Sequence, residues 1–392
     1  MTVESGAATT AAPVSHASPS QALAPGEPAS DQAGGLVQLL TPEGERVEHP
    51  DYPLDLSAAD IRDLYRDLVL VRRIDTEAIA LQRQGELGIW ASLLGQEAAQ
   101  IGSGRALSPD DMVFPTYREH GVAWCRGIDP VKLLELYRGV SHGGWAPEEH
   151  KFHLYTIVIG SQTLHATGYA MGIAMDGKVG TEDGEAVVAY FGDGASSQGD
   201  VNEAFVWASV FHAPVVFFCQ NNQYAISEPL ERQTRVPLFQ RANGFGFPGV
   251  RVDGNDVLAS YAVTRAALDQ ARAGQGPTLI EAYTYRMGAH TTSDDPTRYR
   301  IASEVEAWQA KDPILRVRRF LERQGLADEG YFDAVDEQAR AEAVHLRERV
   351  LAMADPAPIT MFDNVYPNGS PEIDEEREQF ATYLSSFAGE AH

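Results

Sequence analysis

The residues with the clearest chemical potential follow two short apolar runs. The run at 186–191 leads straight into Gly192-Asp193-Gly194-Ala195-Ser196, and a helical pattern over 201–211 comes next. A strand passing through a tight glycine turn into a helix N-terminus brings backbone N–H groups toward a phosphate. A carboxylate set between two glycines is free to face a cation. The next run, 214–219, ends in Gln220-Asn221-Asn222-Gln223-Tyr224. If the two runs are neighbouring strands, Asp193, Asn222 and the backbone carbonyl of Tyr224 make the hard oxygen set that Mg2+ prefers. Diphosphate oxygens and water would complete the octahedron. Each half alone is ordinary, since Asp-Gly marks turns and Asn-Asn after a strand is common loop chemistry. At the ends of successive strands, one helix apart, they define a candidate site.

The elements that must position these residues are legible from the apolar pattern. From 112 to 284, runs of strand length (154–159, 186–191, 214–219, 279–282) alternate with Gly-rich turns and helix-like segments. That alternation predicts a parallel sheet with covering helices, and ligands of such sheets sit beyond the carboxyl ends of the strands. Upstream, Ser57 caps a predicted helix with Asp60 in its first turn. Ile61, Leu64, Tyr65 and Leu68 follow at helical spacing until Gln84-Gly85, and a second helix is expected over 96–101. After Pro313 a helix runs to Gly325, followed by a charged amphipathic stretch over 332–353. The fold class is therefore α/β, a doubly wound, mainly parallel sheet with helical N- and C-terminal arms. The expected divisions are a disordered tail at 1–50, rich in Ala, Ser, Pro and Gly, then a helical arm at 51–111. A core at 112–300 and a helical region at 301–392 complete the chain.

Composition narrows the function classes. With 31 Lys and Arg against 56 Asp and Glu, the formal charge of −25 repels a nucleic-acid backbone or an anionic membrane surface, so neither is an expected partner. The two cysteines, Cys125 and Cys219, are far apart and form no disulfide framework or zinc pattern. No apolar run approaches the roughly 20 residues of a membrane span, and the first residues lack the basic flank and apolar stretch of a signal peptide. A cytoplasmic location is the expectation.

The spacing of the glycine-flanked aspartate and the paired asparagines resembles the thiamine diphosphate motif. From about 56 to 299 the chain resembles the alpha subunit of the thiamine-dependent decarboxylating component of the 2-oxo acid dehydrogenase complexes. The resemblance is carried by Gly95-Gln96-Glu97-Ala98, Tyr117-Arg118-Glu119, Gly192-Asp193-Gly194-Ala195 with Gly199-Asp200, Gln220 to Ser227, and His290-Thr291-Thr292-Ser293-Asp294-Asp295. It implies a thiamine diphosphate-binding fold, with Asp193, Asn222 and the Tyr224 carbonyl on Mg2+ and with Gly192, Gly194 and Ala195 against the cofactor. It also implies Tyr117 and Arg118 on the diphosphate and the backbone near Ile157 and Ile159 facing the pyrimidine. His290 falls beside the reactive end, where an imidazole would steady developing charge or assist acyl transfer. A guanidinium suits phosphate through paired hydrogen bonds, which agrees with Arg118. Thr291, Thr292 and Ser293 occupy a loop that is phosphorylated in some relatives. Gln220 stands where some relatives have an arginine. His150 and His153 read as loop residues, and residues 142–145 as a turn or part of the substrate entrance.

Thiamine chemistry needs a carboxylic acid against the pyrimidine ring, and no residue here matches that glutamate. In the resembling family it comes from a beta subunit. The resemblance thus implies a two-alpha, two-beta enzyme, active only when paired, that decarboxylates a small 2-oxo acid and passes the acyl group to a lipoyl acyltransferase. Gly254-Asn255-Asp256 and residues 296–299 lean toward a branched-chain substrate of the 3-methyl-2-oxobutanoate type, with pyruvate as the alternative. A non-catalytic cofactor-holding or assembly subunit is the reading of another class.

Overall fold

Alternate residues of the strand β2 (Val187–Gly192) feed two different apolar clusters, and this two-sidedness organises the molecule. Val188 and Tyr190 join one cluster, while Val187, Ala189 and Phe191 join the other. Side chains of a strand point alternately to opposite faces, so an unbroken apolar run means a sheet covered on both sides. The computed structural model describes residues 35–141 and 143–387. The expected tail up to residue 34 and the position of His142 lie outside the described residues.

The sheet contains β1 (Met112–Phe114), β2, β3 (Val215–Asn221), β4 (Gly249–Asp253) and β5 (Thr278–Tyr283), in the order β1-β2-β3-β5-β4. All four pairings are parallel. The helices α1 (Ala58–Arg83) and α2 (Glu97–Arg105) supply residues such as Leu68, Ile74 and Ala98 to the first cluster. The opposite face is covered by α3 (Ser161–Met175) and α4 (Gly199–Val210), through Ala166, Ala170, Ile173, Ala204 and Phe205. Helix α5 (Val257–Arg272) returns to the first face, joined by α6 (Pro313–Arg323) and α7 (Glu329–Leu351) through Val263, Val317 and Phe332. Each buried Val, Leu or Phe of this kind stabilises the fold by about 1.5–3 kcal/mol.

Local signals explain several boundaries. Ser57 and Asp60 form a reciprocal capping box at the start of α1, and Asp312 caps α6 ahead of a proline at its first position. Asp256 caps α5 with one carboxylate oxygen and holds the backbone N–H groups of Leu39 and Leu40 with the other. Those contacts correct the expected tail: Val37, Leu39 and Leu40 are buried, and Val37 bridges to Val252. Short polar anchors so close to the N-terminus carry no periodicity, so pattern reading missed them.

Two further expectations are corrected. Residues 154–159 form an irregular segment, and only Phe152 just before them bridges to Val113. The strand β4 was not anticipated, because its sequence Gly-Val-Arg-Val-Asp lacks a continuous apolar run. At the C-terminal end, α8 (Pro371–Ser386) buries no residue and packs on the turn Pro358–Phe362 through Phe362 and Phe380, with ring centroids 5.7 Å apart.

Candidate cofactor site

The parallel register of β2 and β3 sets Gly192 opposite Gln220, so Asp193 and Asn222 leave the sheet from adjacent strand ends. A 3-10 turn, Gly194–Ser197, separates Asp193 from α4, which begins at Gly199, two residues ahead of the helical pattern at 201–211. Asp193 is buried, and that burial pushes its carboxyl above the usual range. Gln233, Arg286 and the Asn222 backbone N–H pull it back down, Gln233 Nε2 donating to the carboxylate at 2.7 Å. The two candidate metal residues therefore converge.

Asn222 is oriented by Gln96. Its Nδ2 donates to Gln96 Oε1 at 3.1 Å, which turns Oδ1 the other way, toward the Tyr224 N–H at 3.4 Å. The loop that carries these groups packs tightly on the glycine turn: a Cβ added to Gly194 would lie 2.7 Å from Ala225 Cβ. Ile226 holds a φ of +57°, costly for a β-branched residue. Its carbonyl accepts from Arg286 Nη2 at 2.6 Å, while Arg286 Nη1 donates to the Tyr224 carbonyl at 2.8 Å. The third expected ligand oxygen thus already accepts one hydrogen bond, and a carbonyl retains a second lone pair.

Arg286 was missed by sequence reasoning, although it lies just beyond β5 and the rule of reading strand ends reaches it. It is buried, and desolvation followed by the nearby Arg118 charge lowers its guanidinium from the usual range. Asp294, in the loop that carries His290, accepts that residue's backbone N–H. Burial raises its carboxyl, but the Tyr299 hydroxyl and the His290 N–H, at 2.5 and 2.8 Å, outweigh this and leave it lowered.

The other side of the site is built around Arg118. Nη1 donates to the Ser92 carbonyl at 2.5 Å and Nη2 to the His290 carbonyl at 2.8 Å, with His290 Nδ1 3.3 Å from the same Nη2. Tyr117 lies edge-on to His290 at 6.2 Å and beneath the Arg118 guanidinium. Tyr137 donates its hydroxyl to the Tyr117 carbonyl. Burial, then the charges of Arg118 and Arg286, lower His290 to about 3, so its imidazole is neutral at ordinary pH. Gln220 is committed internally, donating to Glu119 at 2.5 Å and accepting from Gln100 at 3.1 Å. His150 and His153 donate from Nδ1 to the nearby carbonyls of Arg126 and Leu154. Ile157 and Ile159 are 63% and 45% exposed, so the apolar segment before α3 is left uncovered.

These residues fit an anionic, oxygen-rich group bound with a hard cation. Asp193 is a buried carboxylate in want of positive charge, and Gln96 Nε2 and Arg286 Nε are buried donors without a protein partner. Among the described residues no cluster of three or more His, Cys, Asp or Glu could hold a metal. A cation here would need oxygens from its ligand as well as from the chain.

A parallel α/β sheet with charged and amide side chains gathered beyond its carboxyl strand ends defines a cofactor-binding enzyme of the doubly wound class. The profile of the dehydrogenase E1 component family matches residues 65–358. The 3-methyl-2-oxobutanoate dehydrogenase subunit alpha of Mycobacterium tuberculosis is 45% identical over 354 residues, covering 89% of this chain and 94% of the relative. The pyruvate dehydrogenase E1 component subunit alpha of Staphylococcus aureus is 41% identical over 309 residues, covering 78% of this chain and 82% of the relative. The chain belongs to the dehydrogenase E1 component family, as an alpha subunit of a thiamine diphosphate-dependent 2-oxo acid dehydrogenase.

Proposed function

We propose that the chain is the cofactor-holding half of a branched-chain 2-oxo acid dehydrogenase, with Mg2+ between Asp193, Asn222, the Tyr224 carbonyl and the diphosphate. The observation that carries this reading is the buried Asp193 carboxylate, placed by the β2–β3 register beside Asn222. The branched-chain assignment is supported by the higher identity and wider coverage of the 3-methyl-2-oxobutanoate dehydrogenase relative. Pyruvate remains the second reading, favoured by the pyruvate dehydrogenase relative.

Thiamine diphosphate, when bound, would supply a nucleophilic carbon and an electron-accepting ring for decarboxylation of the 2-oxo acid. The chain's own residues position and polarise. Gly192, Gly194 and Ala195 line the turn over which the diphosphate would pass. Arg118 and Tyr117 would face its oxygens, and Ile157 and Ile159 would support the pyrimidine end. An arginine donates into His290 Nδ1, so the single proton of the neutral ring sits on Nε2. His290 accordingly presents one N–H donor to charge that develops nearby, or to the acyl acceptor.

The glutamate that the chemistry requires is assigned to a beta subunit in a two-alpha, two-beta enzyme, with a lipoyl acyltransferase as acyl acceptor. An apolar outer face on α3 and α4, including Tyr169, Met175, Val206 and Val210, with Phe211 just past the end of α4, supports a covering partner. No helix among the described residues is long and apolar enough to cross a membrane. The cytoplasmic assignment belongs to the same reading and is supported by the free thiols of Cys125 and Cys219.

The test is reconstitution with the beta subunit. Turnover of 3-methyl-2-oxobutanoate well above pyruvate, and none by the isolated chain, is the expected result. A preference for pyruvate would overturn the substrate assignment, and unchanged turnover of a His290→Ala enzyme would favour a non-catalytic subunit.

A further inference from the structure

The apolar segment at 154–159 has one polar tie to a distant part of the fold. Among the described residues, its other hydrogen bonds stay local, from His153 to the Leu154 carbonyl and from Ser161 to the Val158 carbonyl. The distant tie joins Tyr155 Oη to His120 Nδ1 at 2.8 Å. Leu154 and Tyr155 pack at the edge of the first apolar cluster, whereas Ile157, Val158 and Ile159 are exposed. The exposed part of such a segment has low local stability, so its placement depends on the anchor at Tyr155, whose ring packs against Tyr137, Trp145 and Phe152 and whose hydroxyl makes the one directional tie.

His120 is itself rigidly held. Its Nε2 lies 2.8 Å from the Ala91 carbonyl, which can only accept, so Nε2 carries the proton and Nδ1 accepts from the Tyr155 hydroxyl. The ring stacks on Trp90 at 4.1 Å, and Trp90 Nε1 donates to the buried Asp75 at 2.8 Å. Asp75 also accepts from Ser92 Oγ at 2.6 Å, and the Ser92 carbonyl receives Arg118 Nη1. One continuous polar chain therefore runs from Tyr155 through His120, the 90–92 loop and Ser92 to Arg118. His120 stands only two residues from Arg118 in the sequence.

We infer that the His120–Tyr155 hydrogen bond is a positioning device that holds the exposed Ile157–Ile159 segment in register with Arg118. Neither residue touches the reacting atoms. The pair fixes the distance between the two ends of the site, so that a ligand gripped at its diphosphate by Arg118 meets the apolar support at its other end. This rests on the reading of the site as half of a thiamine diphosphate pocket.

The test uses Tyr155→Phe, which removes one hydroxyl, and His120→Phe, which keeps an aromatic ring against Trp90. Hydrogen exchange of the isolated full-length chain reads the tether without any cofactor. Tyr155→Phe is expected to speed exchange of the flanking His153 and Ser161 amides, which donate to the Val113 and Val158 carbonyls, by about 2- to 10-fold, the range of one net hydrogen bond, and to leave β2 and β3 unchanged. In the reconstituted enzyme the dissociation constant of thiamine diphosphate with Mg2+ should rise by a similar factor. The near-ultraviolet circular dichroism of the bound cofactor should change, while the thermal midpoint of the cofactor-free chain stays fixed. The double variant should bind no more weakly than His120→Phe alone, because both remove the same link. Unchanged exchange and affinity in Tyr155→Phe, in an enzyme whose wild type binds the cofactor, would overturn the inference. A wild-type enzyme that binds no thiamine diphosphate would instead overturn the reading of the site beneath it.

Discussion

Arg118 Nη2 lies 2.8 Å from the His290 carbonyl oxygen and 3.3 Å from His290 Nδ1, so one guanidinium nitrogen fixes both the backbone and the ring of the histidine. Arginine has donors only, and the ring nitrogen it meets must accept. His290 is thus held neutral with its proton on Nε2. Nitrogen-15 NMR of the histidine rings should show this tautomer and no titration of His290 between about pH 5 and 8. A signal that titrates near the ordinary histidine value would contradict the geometry.

The same residue predicts a pH dependence of stability. His290 and His120 are both lowered to about 3 in the fold, chiefly by burial, from the ordinary histidine value of 6.5. The unfolded chain takes up the extra protons as pH falls below that value, so the stability linked to these rings is present above about pH 6.5 and lost toward pH 3. His290→Gln should flatten the acid side of the curve of urea midpoint against pH. An equally steep acid loss in that variant would show that other groups dominate.

Asp193→Asn separates the cost of the site from its use. Burial raises the Asp193 carboxyl, so the wild-type chain gains stability as pH falls through the carboxylate range, and the variant should lack that gain. Without metal, the variant should melt no lower than wild type at neutral pH, because the removed buried charge is only partly offset by Gln233, Arg286 and the Asn222 N–H. Its Mg2+-dependent affinity for thiamine diphosphate should fall by about 100-fold or more, beyond the 10- to 100-fold typical of residues that only support a ligand. Calorimetric titration beside thermal melts reads both arms.

How much of this was legible in the sequence depends on the kind of signal. The strands β2, β3 and β5 were visible because each is buried on both faces and so reads as an apolar run, as at Val215 to Cys219. The β4 strand was not visible, since the charges of Arg251 and Asp253 are paired with Glu281 and Arg316, residues remote in sequence. Asp193 and Asn222 were legible because adjacent strand ends follow from the order of elements. Arg286 and the Asp75–Ser92–Arg118 chain were not, because their partners are backbone carbonyls and loop residues brought together only by the fold. The 154–159 run was misread as a strand because exposed apolar residues awaiting a partner look like core in a sequence.

Arg286 supports the strained turn at Ile226, and its removal should be felt in stability before activity. Arg286→Met strands the carbonyls of Tyr224 and Ile226, each a buried or partly buried acceptor. The expected loss is about 1–3 kcal/mol in urea unfolding of the isolated chain. Arg286→Lys should recover little of it, since one ammonium cannot reach both carbonyls with the geometry of a planar fork. Full recovery by lysine would mean that charge, and not the paired hydrogen bonds, holds the turn.

The two glycines around Asp193 give a paired prediction with opposite signatures. A Cβ at Gly194 would meet Ala225 Cβ at 2.7 Å, closer than side-chain carbons approach, so Gly194→Ala must push the glycine turn away from the Asn222 loop. Overpacking of this kind costs about 1–3 kcal/mol, and both stability and cofactor affinity should drop together. A Cβ at Gly192 would meet no protein atom within 4 Å, and its backbone is not in the left-handed region. Gly192→Ala should therefore melt with wild type. If the diphosphate passes over this turn, as the site requires, the added methyl will still obstruct it, and affinity for thiamine diphosphate will fall with the fold intact. Equal affinity in the Gly192→Ala and wild-type enzymes would place the diphosphate elsewhere and remove the reason for a glycine ahead of Asp193.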